Sequence, residues 1–307
     1  MSRYIPGLEK RKELYDSLLK EKELEKRSNI SFREDKYQVY FLTEEDASIG
    51  DMSEEDRNAY DSGQGGELKE RINKYGNKIP PSMFSVASSS RFCYLSLRDS
   101  DLDVFNIRNI ITKRRFEEKL PVFEKGIPPH MDAYCETEKE VCFFECKCHE
   151  QFDSHPIVLS KSYFNKGFVV DSVFKGIKPI GTKQITKDNG EKVEYPIFPS
   201  NIFGVSDNPR FDIKQLLTHL MGIKKRMENF PEKKARLIYF YFIPNYAYKK
   251  PQIKEIIDLL FEESKSVFKH IEKHEKEISL ELYVQYSDIV QTAAKDNVVQ
   301  IYPKDMR

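Results

Sequence analysis

The chain has 307 residues, of which 39% are hydrophobic and 33% charged, and a formal net charge of zero. A zero total excludes a polycation that holds nucleic acid by bulk charge, and 12% aromatic residues exclude wholesale disorder. No run of about 18 apolar residues occurs, so no membrane span is expected; five cysteines behind an N-terminus with no apolar leader point to a reducing cytoplasm rather than a disulfide framework.

The elements follow in chain order. Residues 8–27 read as a charged helix with a thin stripe of Leu8, Leu14, Leu18, Leu19 and Leu24, suited to a surface or a dimer interface. Residues 36–43 read as a strand. From Glu44 to Ser62 there are eight acids and one arginine, a stretch expected to lie outside the catalytic core. The cluster Ser62-Gly63-Gln64-Gly65-Gly66 marks a boundary. Residues 1–62 are therefore an N-terminal extension, and 63–307 the main domain. A short helix begins near Glu67 and ends at Pro80-Pro81. Residues 84–97, 116–123, 131–135 and 141–149 read as strands, being rich in β-branched, aromatic or cysteine residues.

The segment 155–205 reads as long loops or an inserted hairpin, and between His155 and Lys187 it carries six lysines against one aspartate. Residues 211–227 form an amphipathic helix whose stripe is Ile213, Leu216, Leu217, Leu220 and Ile223. Residues 236–243 (RLIYFYFI) are almost all apolar, as in a strand buried on both faces. A charged helix at 251–276 and a strand at 278–286 complete the pattern. Helices flanking a buried sheet define an α/β fold.

Chemistry concentrates in residues 128–150, PPHMDAYCETEKEVCFFECKCHE. Two apolar runs flank the polar connection Glu136–Glu140, which predicts a hairpin. With Thr137 and Glu140 bracketing a two-residue turn, Asp132 lies across from Glu145, with Cβ atoms roughly 5 Å apart. Two carboxylates at that spacing repel unless a cation or proton lies between them. Removing either should then leave the fold no less stable. Such an oxygen-rich pair suits Mg²⁺ or Mn²⁺. Strand alternation places Glu145, Lys147 and His149 on one face and Cys142, Phe144, Cys146 and Cys148 on the other. Acid, base and imidazole in a row are the parts for phosphodiester hydrolysis. Cys135, Cys142, Cys146, Cys148 and His149 form a rival zinc set for a non-enzymatic binding or assembly module. Three of those cysteines lie on one straight strand face rather than in a converging knuckle, which favours core packing.

Asp132 followed by Glu145-Cys146-Lys147 resembles the PD-(D/E)xK nuclease superfamily, the restriction-endonuclease-like fold. Gly63-Gln64-Gly65-Gly66-Glu67-Leu68, Pro80-Pro81-Ser82-Met83 and Ser88-Ser89-Ser90-Arg91 are similar to segments of a bacterial branch of restriction endonucleases. The proline next to the aspartate is displaced here to Pro128-Pro129. The resemblance implies an αβββαβ core and a cytoplasmic, Mg²⁺-dependent deoxyribonuclease of a restriction or defence system, with double-stranded DNA as substrate. Asp132 and Glu145 would bind metal, Lys147 would position the attacking water, and Glu67 would be the extra acid on the first helix. Gln215 matches a polar residue on the helix after the catalytic strands and shares its edge with His219. Glu117 or Glu118 lines the site, and the pattern does not choose between them. The lysines of 155–192 are available for phosphate contacts. A homodimer is expected because two related sites cut two antiparallel strands most simply. The charged helices at 8–27 and 251–276 are available for its interface. RNA as the substrate is left open.

Overall fold

A computed structural model describes residues 8–26, 32–35, 38–62, 66–72, 76, 78–99, 102–122, 128–164, 168–186, 190–289 and 297–303. Helix α1 (Leu8–Lys26) is followed by a small hairpin of β1 (Phe32–Asp35) and β2 (Gln38–Phe41), and then by α2 (Glu54–Ser62). The two-residue strands β3 (Arg71–Ile72) and β4 (Lys78–Ile79) lead to α3 (Ser89–Leu97). Three strands come next: β5 (Lys113–Lys119), β6 (His130–Glu136) and β7 (Glu140–Lys147). The lysine-dotted segment holds β8 (Ile157–Val158), α4 (Val169–Val173), β9 (Gly181–Thr186) and β10 (Lys192–Phe198). The C-terminal part contains α5 (Ile213–Met227), β11 (Lys234–Pro244), α6 (Asn245–Tyr248), α7 (Pro251–Ile271), β12 (Ile278–Ser287) and β13 (Val298–Tyr302).

A six-stranded mixed sheet, ordered β13-β12-β11-β7-β6-β5, is the frame. Strand β6 runs antiparallel to both β5 and β7, and β11 lies parallel to both β7 and β12. The apolar run of β11 explains its central place, because it has two faces to bury. Phe240 and Phe242 meet Phe92 of α3 on one face, with ring centroids 4.7 and 5.6 Å apart. Tyr239 and Tyr241 point the other way, to Phe211 at the start of α5 (5.2 Å) and Phe261 of α7 (6.2 Å). The sheet is thus sandwiched between α3 on one side and α5 with α7 on the other. Gly222 lets α5 come close: a Cβ there would meet Leu120 at 2.6 Å. Among the described residues, no helix is long and apolar enough to cross a membrane.

Four expectations are corrected. Residues 84–97 do not form a strand. Ser88 accepts the Arg91 amide at 3.1 Å and caps α3, whose residues Ser90–Leu97 are all buried. Burial on every side erases the helical period in the sequence. Among the described residues between Glu67 and Pro80 there is no helix; a turn leads into the β3–β4 pair instead.

The acidic stretch is not outside the core. Ala47, Ile49 and Tyr60 are buried, and the Tyr60 ring stacks on Phe116 of β5 at 5.5 Å. Residues on both sides of the boundary expected at residue 62 share one hydrophobic core. Gly63, Gln64 and Gly65 lie outside the described residues. Helix α1 is spent inside the chain as well. Tyr15 and Leu19 are fully buried, and the Tyr15 hydroxyl donates to the Cys148 carbonyl at 2.5 Å. The side chains of Leu8 and Leu24 lie outside the described residues. Both helices expected to be free for a dimer interface bury apolar faces in this chain, α7 through Ile253, Ile257, Leu260 and Phe268.

Candidate active site

The β6–β7 hairpin sets the register. The Thr137 amide donates to the Glu140 carbonyl at 3.0 Å, and the Thr137 hydroxyl accepts the Lys139 and Glu140 amides. Glu136 pairs with Val141, Cys135 with Cys142, Tyr134 with Phe143 and Ala133 with Phe144, as a two-residue turn requires. One step further, Asp132 falls opposite Glu145. The paired ladder has ended at Ala133–Phe144, and Asp132 Oδ2 instead accepts the Cys146 amide at 2.6 Å. The carboxylate thus caps the last backbone donor of the hairpin and stands on the face that carries Glu145.

Glu145 is almost fully enclosed, with 3% of its surface exposed. Its Oε1 accepts Lys147 Nζ at 2.6 Å and Gln215 Nε2 at 2.8 Å, and its Oε2 lies 3.7 Å from His219 Nε2. Gln215 and His219 are one turn apart on α5, so that helix grips the carboxylate from above. Burial alone would depress the Lys147 ammonium. Glu145, Glu150 and Asp132 outweigh it and hold the group protonated far into the alkaline range. Asp132 moves the other way. Burial, then Glu145, then Glu117 raise its pKa well above the usual carboxylate range, against the pull of Lys147 and the Cys146 amide. Burial keeps His219 neutral by lowering its pKa, although Glu145 favours the imidazolium.

Glu117 and Glu118 now separate. Glu118 Oε1 accepts Arg226 Nη2 at 2.6 Å and is committed to that pair. Glu117 lies between the β5–β6 pairs Phe116–Ala133 and Glu118–Met131, in register with Asp132. Its φ is +50°, a left-handed backbone within a strand, which costs a non-glycine residue on the order of 1 kcal/mol. His130 Nδ1 lies 3.5 Å from its Oε2. Glu67 sits in the turn before β3, where the Ser82 hydroxyl donates to its carboxylate. Burial, then Glu117, raises the Glu67 pKa. Glu67, Glu117, Asp132 and Glu145 therefore form one electrostatically linked row, and Lys147 is the cation beside it.

His149 does not join that row. Strand β7 ends at Lys147, and His149 Nδ1 donates to the Ala87 carbonyl at 3.0 Å, on the α3 side. The position of Glu117 could not be read from alternation, because its backbone leaves the strand conformation. His219 was visible as the helix neighbour of Gln215. Its approach to Glu145 depends on where α5 crosses the sheet. The five cysteines are all buried, and burial raises the thiol pKa of each, as suits core packing.

Comparison with family models, curated proteins and solved structures finds no match. As the side chains stand, no three His, Cys, Asp or Glu among the described residues converge to hold a metal ion. The donor chemistry nonetheless fits a hard divalent cation. Asp132 and Glu67 are partly buried carboxylates whose anionic forms are disfavoured by desolvation and then by their acidic neighbours, and a cation among them would offset both.

The ion pair argues against the expectation that removing Glu145 leaves the fold no less stable. Glu145→Ala would strand a largely buried ammonium, which costs about 3–5 kcal/mol. Thermal melts should show Glu145→Ala strongly destabilised and Glu145→Ala/Lys147→Met largely restored. Equal melting of parent and single variant would show that the pair carries little energy.

Asp132 gives a pH signature of opposite sense to an ordinary ion-paired acid. Its folded pKa lies above the unfolded value, so the folded state holds a proton that the unfolded chain releases. Stability from this group is present at low pH and lost as pH rises from about 4 through the raised value. Asp132→Asn keeps an acceptor for Cys146 and removes the charge. With a chelator present, its melting temperature should gain on the parent as pH rises. A difference that does not vary with pH would contradict the assignment.

Proposed function

We propose that the protein is a divalent-cation-dependent nuclease with the restriction-endonuclease-like architecture, hydrolysing DNA phosphodiester bonds. The elements α3, β5, β6, β7, α5 and β11 support the reading, since in chain order, with β8, α4, β9 and β10 inserted between β7 and α5, they run αβββαβ. One observation carries it. Counting on from the hairpin register puts Asp132 across from Glu145, whose charge together with burial raises the Asp132 pKa, and Lys147 Nζ lies 2.6 Å from Glu145.

Asp132 and Glu145, with Glu117 and Glu67 behind them, are the residues that would hold Mg²⁺ or Mn²⁺. The bound ion would lower the pKa of a water and neutralise charge on the phosphoryl oxygens. Lys147 stays an ammonium, so it donates hydrogen bonds to the attacking water and the phosphate rather than taking a proton. Gln215 fixes the orientation of Glu145. Glu117 supports Asp132 from the neighbouring strand. The cost of its backbone is the kind of strain that surrounding structure sustains at functional sites. The exposed Lys161, Lys175, Lys178, Lys183 and Lys192, on and around the β9–β10 hairpin, suit phosphate contacts that position duplex DNA. A homodimer with two related sites is the simplest species to cut both strands. Its interface would have to lie away from the buried faces of α1 and α7.

Incubation of supercoiled plasmid with millimolar Mg²⁺ tests the reading. The parent should nick or linearise it. Asp132→Asn, Glu145→Gln and Lys147→Met should each reduce the rate by at least about 10²-fold while remaining folded. An inert parent, or variants that cut like the parent, would refute it.

A further inference from the structure

Residue His155 was no part of the site expected from sequence. It lies just before β8, and its backbone amide is fixed to the Pro209 carbonyl at 2.8 Å. Its Nδ1 is 3.2 Å from Asp212 Oδ2. Asp212 is the N-cap of α5, and its other oxygen accepts the Gln215 amide at 2.8 Å. Gln215 in turn donates its side chain to Glu145. Two residues, Asp212 and Gln215, thus connect the imidazole to the acid row through the first turn of one helix. An imidazole oriented at one nitrogen by a carboxylate, with the ring 26% exposed, is the arrangement of a proton-transfer group.

We propose that His155 is a further catalytic residue of this site, the proton donor to the leaving oxygen, with Asp212 as its positioning residue. The proposal rests on the phosphodiesterase reading above. In the step, the water oxygen bonds to phosphorus as the bond from phosphorus to the leaving oxygen breaks. The leaving oxygen takes the Nε2 proton as it gains the electron pair. The attacking water releases its own proton to solvent, and His155 is reprotonated from solvent.

The charges around the ring agree with that role. Burial disfavours the imidazolium, and Lys147 opposes it. Asp212 and Asp153 outweigh both, so the pKa lies above the ordinary histidine value. Asp212 itself is kept ionised, against its burial, by His155, the Gln215 amide and Lys147. A donor must be protonated, so its contribution falls as pH rises through that raised value.

The test uses the full chain, Mg²⁺ and two substrates, plasmid DNA and the p-nitrophenyl ester of thymidine 5′-monophosphate. Nitrophenolate departs without a proton, whereas a nucleotide alkoxide does not. His155→Gln should slow plasmid cleavage by about 10²-fold or more and leave ester hydrolysis within about threefold of the parent. Asp212→Asn retains a helix cap and should move the alkaline limb of the plasmid profile to lower pH. If His155→Gln cleaves plasmid like the parent, or loses both substrates alike, the ring is not a proton donor. A parent that cleaves neither substrate refutes the phosphodiesterase reading itself, and this inference falls with it.

Discussion

The buried pairing of Glu145 with Lys147 is the constraint on which the site depends. Four acidic side chains feel one another across β5, β6, β7 and the turn at Glu67, and burial together with this repulsion raises the pKa of Asp132 and Glu67. Lys147, two residues along the same strand, puts a positive charge within 2.6 Å of Glu145 and offsets part of that repulsion. The ammonium is buried in turn, which is tolerable only while its carboxylate partners are present. Helix α5 completes the arrangement by donating Gln215 to the same oxygen. It can do so because Gly222 brings the helix against Leu120. A sheet register, a buried charge pair and a close helix approach are thus mutually dependent.

Much of this was legible in the sequence, for identifiable reasons. A two-residue turn between Thr137 and Glu140 fixes every pair in the hairpin, so Asp132 opposite Glu145 follows from counting. The β11 run has no polar alternation because it has no solvent face. Two of the misread elements, α3 and the acidic stretch, share one physical cause, burial that differs from the local pattern. In α3, polar Ser90, Arg91 and Ser96 are buried with the apolar residues, so SSRFCYLSL shows no helical stripe. In the acidic stretch, the charges surround a few deeply buried residues such as Tyr60, and composition conceals them.

Other features had no local signal. Alternation assigns His149 to the face of Lys147 only if the strand continues, and β7 ends at Lys147. The choice of Glu117 over Glu118 rests on a left-handed residue inside a strand and on Arg226, which is 108 positions away and takes Glu118. His155 meets Asp212 across 57 residues, through the placement of α5. Tertiary placement decides each of these.

The central claim is that the acid row is a divalent-cation site. Titration of Mn²⁺ followed by electron paramagnetic resonance measures this without any substrate. The parent should bind Mn²⁺ at about one ion or more per chain, and Mg²⁺ should compete. Asp132→Asn should lose that binding, whereas Lys147→Met should retain it because an ammonium is not a ligand. Equal Mn²⁺ binding by the parent and Asp132→Asn, or none by the parent, would contradict the assignment and reduce the row to structural charge.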